Sequence, residues 1–76
     1  RRADDLIREL DIPKEFHYVT IYDAKANVHR LDHIENIMIR YAFVRYKGKM
    51  TEIARRLGIG RSTLYRKAAE IGLLDE

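Results

Sequence analysis

The chain lacks cysteine altogether, holds a single proline and four glycines, and contains no long hydrophobic run. Without cysteine there is no disulfide framework and no thiolate metal site, and a reducing compartment such as the cytoplasm fits. The longest apolar pieces, such as Ile37 to Ile39 and Tyr41 to Val44, fall far short of the roughly 20 residues a membrane-spanning helix needs. No signal-like segment is visible either. At 76 residues the chain is one small domain at most. So short a chain buries a modest core, and packing against a second copy would help it. It opens on Arg1 and not on Met, which points to a fragment cut from a longer protein.

The charge that is present is unevenly placed. Residues 1–44 hold seven Lys/Arg against eight Asp/Glu, residues 45–67 hold eight against Glu52 alone, and residues 68–76 carry a net −3. A basic block between near-neutral and acidic flanks marks a face for a polyanion, because Lys and Arg displace the counterions condensed on phosphates. The alternative is an ordinary solvated helical surface.

Few as they are, the proline and glycines punctuate the pattern. Residues 2–10 place Leu6, Ile7 and Leu10 at helical spacing with acids in the first turn, and Pro13 stops the helix. Residues 16–22 set Phe16, Tyr18, Thr20 and Tyr22 against His17, Val19 and Ile21, an alternation that predicts a short strand. Its mate is open: residues 28–31 could complete a hairpin, a second copy could supply a strand, or the segment is a linker. From 32 to 47 the helical signal is strong. Asp32 and Glu35 have capping-box spacing, and Leu31, Ile34, Ile37, Met38, Tyr41 and Val44 recur at intervals of three and four. Ile39 and Phe43 add a second apolar side. One copy cannot cover both sides, so the stripe from Leu31 to Val44 is the expected homodimer interface. Gly48 is the expected stop.

Two short helices follow within 50–72. Thr51 is a plausible N-cap for the first, with Ile53, Ala54 and Leu57 inward and Arg55 and Arg56 outward. The second runs from about Arg61 to Ile71, with Leu64, Ala68 and Ile71 on one stripe and Gly72 at the stop. Only Gly58, Ile59 and Gly60 lie between, which is the pattern of a helix-turn-helix: Gly58 can take positive φ, Ala54 permits close helix approach and Ile59 plugs the corner. In such a motif the second helix enters the DNA major groove while the first crosses the backbone. A hairpin built only for packing is the alternative. The polar positions decide between them, since Arg61, Ser62, Thr63, Tyr65, Arg66 and Lys67 all donate hydrogen bonds and none is acidic.

The stretch MTEIARRLGIGRSTLYRKAAEIGL, and above all ARRLGI with RSTLYRK, resembles the C-terminal DNA-binding domain of the NtrC-type enhancer-binding activators, a domain shared with the nucleoid protein Fis. The similarity extends from Leu31 to Leu74, with residues 1–30 outside it as an extension or linker. The resemblance implies a mostly helical, dimeric Fis-like bundle bound to a palindromic enhancer-like site in the bacterial nucleoid. It also implies a parent protein whose ATPase domain remodels polymerase holding the sigma-N factor. By matching position, Arg61 would be the chief base reader, Ser62 and Thr63 would sit at the helix start near phosphate or base, and Arg66 and Lys67 would meet bases or backbone farther along. Tyr65 joins the base-facing set, and Lys49, Thr51, Arg55 and Arg56 would touch phosphate. Departures from the family are Lys49 where Asn is common, Gly60 where a polar cap is common, and Ala68-Ala69 where Leu-Lys is usual.

Other motifs are weak. GIGRST lacks the spacing and the lysine of a phosphate-binding P-loop. His17, His29 and His33 have no cysteine beside them, so surface or interface positions suit them better than metal ligation. The five tyrosines could form a stacking platform for single strands, but Tyr18, Tyr22 and Tyr41 fall where core or interface is expected. The sequence thus predicts a domain that binds double-stranded DNA as a homodimer, without catalysis, cofactor or metal. A Fis-like architectural protein of low specificity and a protein-interaction module with a basic face are the rivals.

Overall fold

The computed structural model describes residues 2–74, so Arg1 and the acidic Asp75 and Glu76 of the expected C-terminal end lie outside the described residues. The chain runs α1 (Ala3–Glu9), a single 3₁₀ turn (Lys14–Phe16), α2 (Leu31–Arg45), α3 (Met50–Leu57) and α4 (Arg61–Glu70). Among the described residues there is no strand and no helix long and apolar enough to cross a membrane.

The core forms where α2, α3 and α4 meet. Ile39 and Ala42 of α2, Ile53 and Ala54 of α3, and Leu64 and Ala68 of α4 are buried, with Phe43, Tyr46, Met50, Leu57, Ile59, Ile71 and Leu73 packed around them. The side of α2 that carries Ile39 and Phe43 therefore turns inward. Its other stripe stays largely uncovered by these helices: Leu31 is 82 % exposed, Met38 53 % and Val44 51 %. No described residue of α1 is buried, and this short helix stands at the periphery.

Helix ends follow the glycines closely and the polar caps poorly. Gly58 lies at φ +73°, which lets its N–H and that of Ile59 reach back to the Arg55 and Ala54 carbonyls at 3.3 and 3.1 Å. A Cβ on Gly58 would meet nothing within 4 Å, so the backbone angle and not space demands glycine there. Gly72 closes α4 in the same way, its successor Leu73 donating to the Ala68 carbonyl at 2.9 Å. Helix α2 ends two residues before the expected 47, because Lys47 (φ +54°) and Gly48 (φ +72°) both leave helical space and the Gly48 N–H bonds the Phe43 carbonyl at 3.0 Å. The expected Asp32 capping box is absent. Arg30 holds the cap position, and its guanidinium takes the Asp32 carboxylate at 3.1 and 3.3 Å, drawing that carboxyl below its ordinary range. Thr51 is likewise no cap: α3 begins at Met50, two residues before the start that a Thr51 cap implies, with Lys49 in the cap place and no side chain closing its start.

The expected strand over 16–22 is replaced by the 3₁₀ turn and an irregular segment. One isolated antiparallel bridge, Tyr22 with Val28, is all that remains of a hairpin. Its turn is held by the Asp23 carboxylate, which accepts from the Lys25 and Asn27 N–H groups at 2.9 and 3.1 Å. Two short strands without a third gain too little to persist alone, and Phe16 is drawn instead onto Tyr41 of α2, edge to face at 5.4 Å. With Ile12 and Val19 it lines an apolar groove of about 210 Å³ against Ile37, Met38 and Tyr41. The Tyr18 hydroxyl donates to Asp4 at 2.6 Å, tying this segment back to α1, and that hydrogen bond pushes the Tyr18 pKa up.

Candidate nucleic-acid interface

Helix α4 divides cleanly by its 3.6-residue period. Leu64 and Ala68 face the core, whereas Arg61, Ser62, Tyr65 and Arg66, spaced by three and four, are exposed. Gly60 precedes them in extended conformation, and its carbonyl accepts the Leu64 N–H at 3.0 Å to start the helix. The first turn of α4 carries no acid and no side-chain cap, so its free N–H groups and the positive end of its dipole favour an anion. Arg61 makes no ion pair or side-chain hydrogen bond among the described residues. Arg66 is paired with Glu70 one turn on, at 3.1 Å.

Thr63 and Lys67 lie on the half-buried flank of the same helix and not on its open face. Lys67 is only 29 % exposed, and its ammonium donates to Glu35 of α2 at 2.7 Å. The resemblance implies that Lys67 meets DNA, at bases or at the phosphate backbone; in the structure its charge is directed toward α2. Nothing in its own helix announces this, because its partner lies 32 positions away.

A second basic patch joins the end of α2 to α3. Arg45, Tyr46, Lys47, Lys49 and Glu52 line an open groove of about 470 Å³. The guanidinium groups of Arg45 and Arg56 stand 5.6 and 5.7 Å from the centre of the Tyr46 ring, within cation–π range. Glu52 organises the rest, accepting from Arg55 at 2.7 Å and from Arg56 at 3.1 Å. Those arginines, Arg55 first, hold the Glu52 carboxyl below the usual range. The pair therefore stays intact above the ordinary glutamate pKa and is lost only as pH falls through that lowered value. Thr51 and Lys49 are exposed beside it. Sequence reasoning missed Tyr46 and Arg45 and took Glu52 only as the lone acid of the basic block, although its place three and four residues before two arginines is a legible ion-pair spacing.

Glu52 offsets part of the positive charge of this patch by pairing with Arg55 and Arg56. Glu52→Gln should therefore tighten binding to every duplex alike and steepen the fall of log affinity with log salt. Fluorescence anisotropy over a salt series measures both, and an unchanged slope would place Arg55 and Arg56 away from phosphate.

His29 and His33 stack at 4.3 Å between ring centres, but no group of three potential metal ligands exists among the described residues. Comparison with curated proteins and with solved structures finds no match. The model of the bacterial regulatory proteins of the Fis family matches residues 30–70, which takes in α2, α3, the glycine turn and α4. That match spans more than half of the chain and carries the helix-turn-helix with it, and the protein belongs to the Fis family of bacterial regulatory proteins.

Proposed function

We propose that this chain is the sequence-specific duplex-DNA-binding domain of a transcriptional regulator, acting as a homodimer on a palindromic site and catalysing nothing itself. DNA binding by a regulatory protein follows from the family; specificity, symmetry and residue roles are the proposal. The observation that supports it best is the open face of α4, with Arg61, Ser62, Tyr65 and Arg66 set over a wholly apolar buried face and Arg61 unengaged. In this reading α4 enters the major groove and Arg61 donates two bonds to the O6 and N7 of a guanine. Ser62, Thr63, Tyr65 and Arg66 complete the base contacts, and Lys49, Thr51, Arg55, Arg56 and Lys67 remain the proposed phosphate set. The resemblance to NtrC-type activators extends the proposal to a cytoplasmic bacterial parent that meets sigma-N polymerase at an enhancer-like site.

Arg61→Ala should cost about 1–3 kcal/mol of specific affinity and relax preference at one base pair of each half-site. Lys49→Ala should weaken all sequences equally. If Arg61→Ala lowers specific and random-duplex affinity by one factor, its base-reading role is wrong. An architectural protein of low specificity is the second reading, favoured by the engagement of Arg66 with Glu70 and Lys67 with Glu35. Those pairs leave fewer cations of α4 free to read bases. A wild-type ratio of specific to random affinity near one would establish that reading.

For the dimer, the α2 stripe of Leu31, Ile34, Ile37, Met38, Tyr41 and Val44 is the proposed seam. Residues Ile12, Phe16 and Val19 already lie against Ile37, Met38 and Tyr41, so they would be layered into that seam or displaced from it. Met38→Glu and Ile34→Glu should each give a monomer by light scattering, because an unpaired carboxylate in an apolar interface costs several kcal/mol, roughly 3–5. A dimer that survives both substitutions moves the contact to the apolar 16–22 segment.

A further inference from the structure

Helix α3 packs against both α2 and α4, whereas direct contact between α2 and α4 is sparse. The angle at which the recognition helix leaves α2 is thus set mainly at second hand, through α3. Two polar ties act on it directly. Lys67 Nζ donates to Glu35 Oε1 at 2.7 Å, and Arg40 Nη2 donates to the Ile71 carbonyl at 3.1 Å. Their anchor points are about 7.5 Å apart along α2 and about 6 Å apart from the last turns of α4 to its C-cap, at 1.5 Å of rise per residue. A single tie would leave a pivot, but two separated ties fix a crossing angle. The Lys67–Glu35 pair also borders an apolar cleft of about 140 Å³ lined by Met38, Ile39, Leu57 and Ile59, where water competes less for the charges than at an open surface.

We infer that Glu35 and Arg40 are positioning residues for DNA readout: through Lys67 and the Ile71 carbonyl they hold the recognition helix at a fixed angle to α2. They thereby set the spacing at which a dimer reads its two half-sites. The inference rests on the reading of α4 as the base-reading helix, and it changes the role of Lys67 from a phosphate contact to a strut. The two roles differ in sign. If Lys67 were a phosphate contact held back by Glu35, Glu35→Gln would free it in both copies, tighten binding to all duplexes and steepen the salt slope by about 1.8 per dimer.

As a strut, Lys67 is left with only a neutral amide acceptor in Glu35→Gln, and the ratio of specific to random affinity should fall, by up to about tenfold, the size of coupling expected between directly paired side chains. That ratio cancels charge effects common to both duplexes. Lys67→Met and Arg40→Met should move it in the same direction, and a set of duplexes with varied half-site spacing should show a flattened preference. Glu35→Lys combined with Lys67→Glu rebuilds the tie with reversed charge and should regain the wild-type ratio, with helix content and urea midpoint checked for each variant. Single variants that keep the wild-type ratio, or a reversed pair that fails to recover it, overturn the inference while leaving the base-reading role of α4 standing. A wild-type chain that does not discriminate between duplexes overturns that role, and this inference with it.

Discussion

Leu64→Ala is expected to remove about 2–5 kcal/mol of folding free energy, through lost apolar transfer and the cavity left behind. Among the described residues Leu64 is one of two large side chains with no exposed surface, the other being Ile53 across the helix-turn-helix. A chain of 76 residues has roughly 4–11 kcal/mol in total at ~0.05–0.15 per residue, so this one truncation takes a large share of it. With the small Ala68 one turn along, Leu64 is the main apolar anchor of α4. Urea unfolding of Leu64→Ala beside Val28→Ala, a position 79 % exposed, gives the comparison. The Val28 variant should stay within about 0.5 kcal/mol of wild type. Equal losses at the two positions would mean that the core does not sit at the meeting of α2, α3 and α4.

Five base pairs inserted between the half-sites of the selected operator are expected to lower affinity by about 10²–10⁴-fold, toward that of one half-site. A dimer with a two-fold axis presents its recognition helices about one helical turn apart, roughly 34 Å, or less where the duplex bends toward the protein. Half a turn of added DNA carries one half-site to the opposite face, where a stiff dimer cannot follow. Flanking phosphates held by Lys47, Lys49, Arg55 and Arg56 would bring the total neutralised per dimer to on the order of six to ten, with a correspondingly steep salt dependence. Full affinity after the insertion would show independent monomers or a flexible tether, and the Fis-like dimer would then be abandoned. The operator itself comes from selection in a random duplex pool, which yields half-site and symmetry together.

How the sequence was legible differs by element. The helix-turn-helix could be read residue by residue because its determinants are local: Gly58 at positive φ, Ala54 small and buried, and Leu64, Ala68 and Ile71 on one stripe all act within a turn or two of each other. The polar caps could not. Asp32 and Thr51 fit a capping pattern, yet Arg30 takes the carboxylate of one and the helix starts before the other, since competing partners within hydrogen-bond reach decide which bond forms. Alternation over 16–22 misled for a related reason. A strand needs a neighbour to take its hydrogen bonds, and the contact that Phe16 finds on Tyr41 won instead.

By itself, then, the sequence determined the helical class, the position of the turn and the basic character of residues 45–67, because periodicity, glycine conformation and net charge are properties of neighbouring residues. Helical spacing already sets Arg66 beside Glu70 and Arg55 and Arg56 beside Glu52, and tertiary structure alone added the engagement of Lys67 with Glu35, while Arg61 stands open. Tertiary structure decided equally that the Ile39 side of α2 is core and that Phe16 covers part of the other stripe. The physical reason is the same in each case: a charge or an apolar face takes the partner that folding brings within a few ångströms, and for Lys67, Arg40 and Phe16 that partner is distant along the chain.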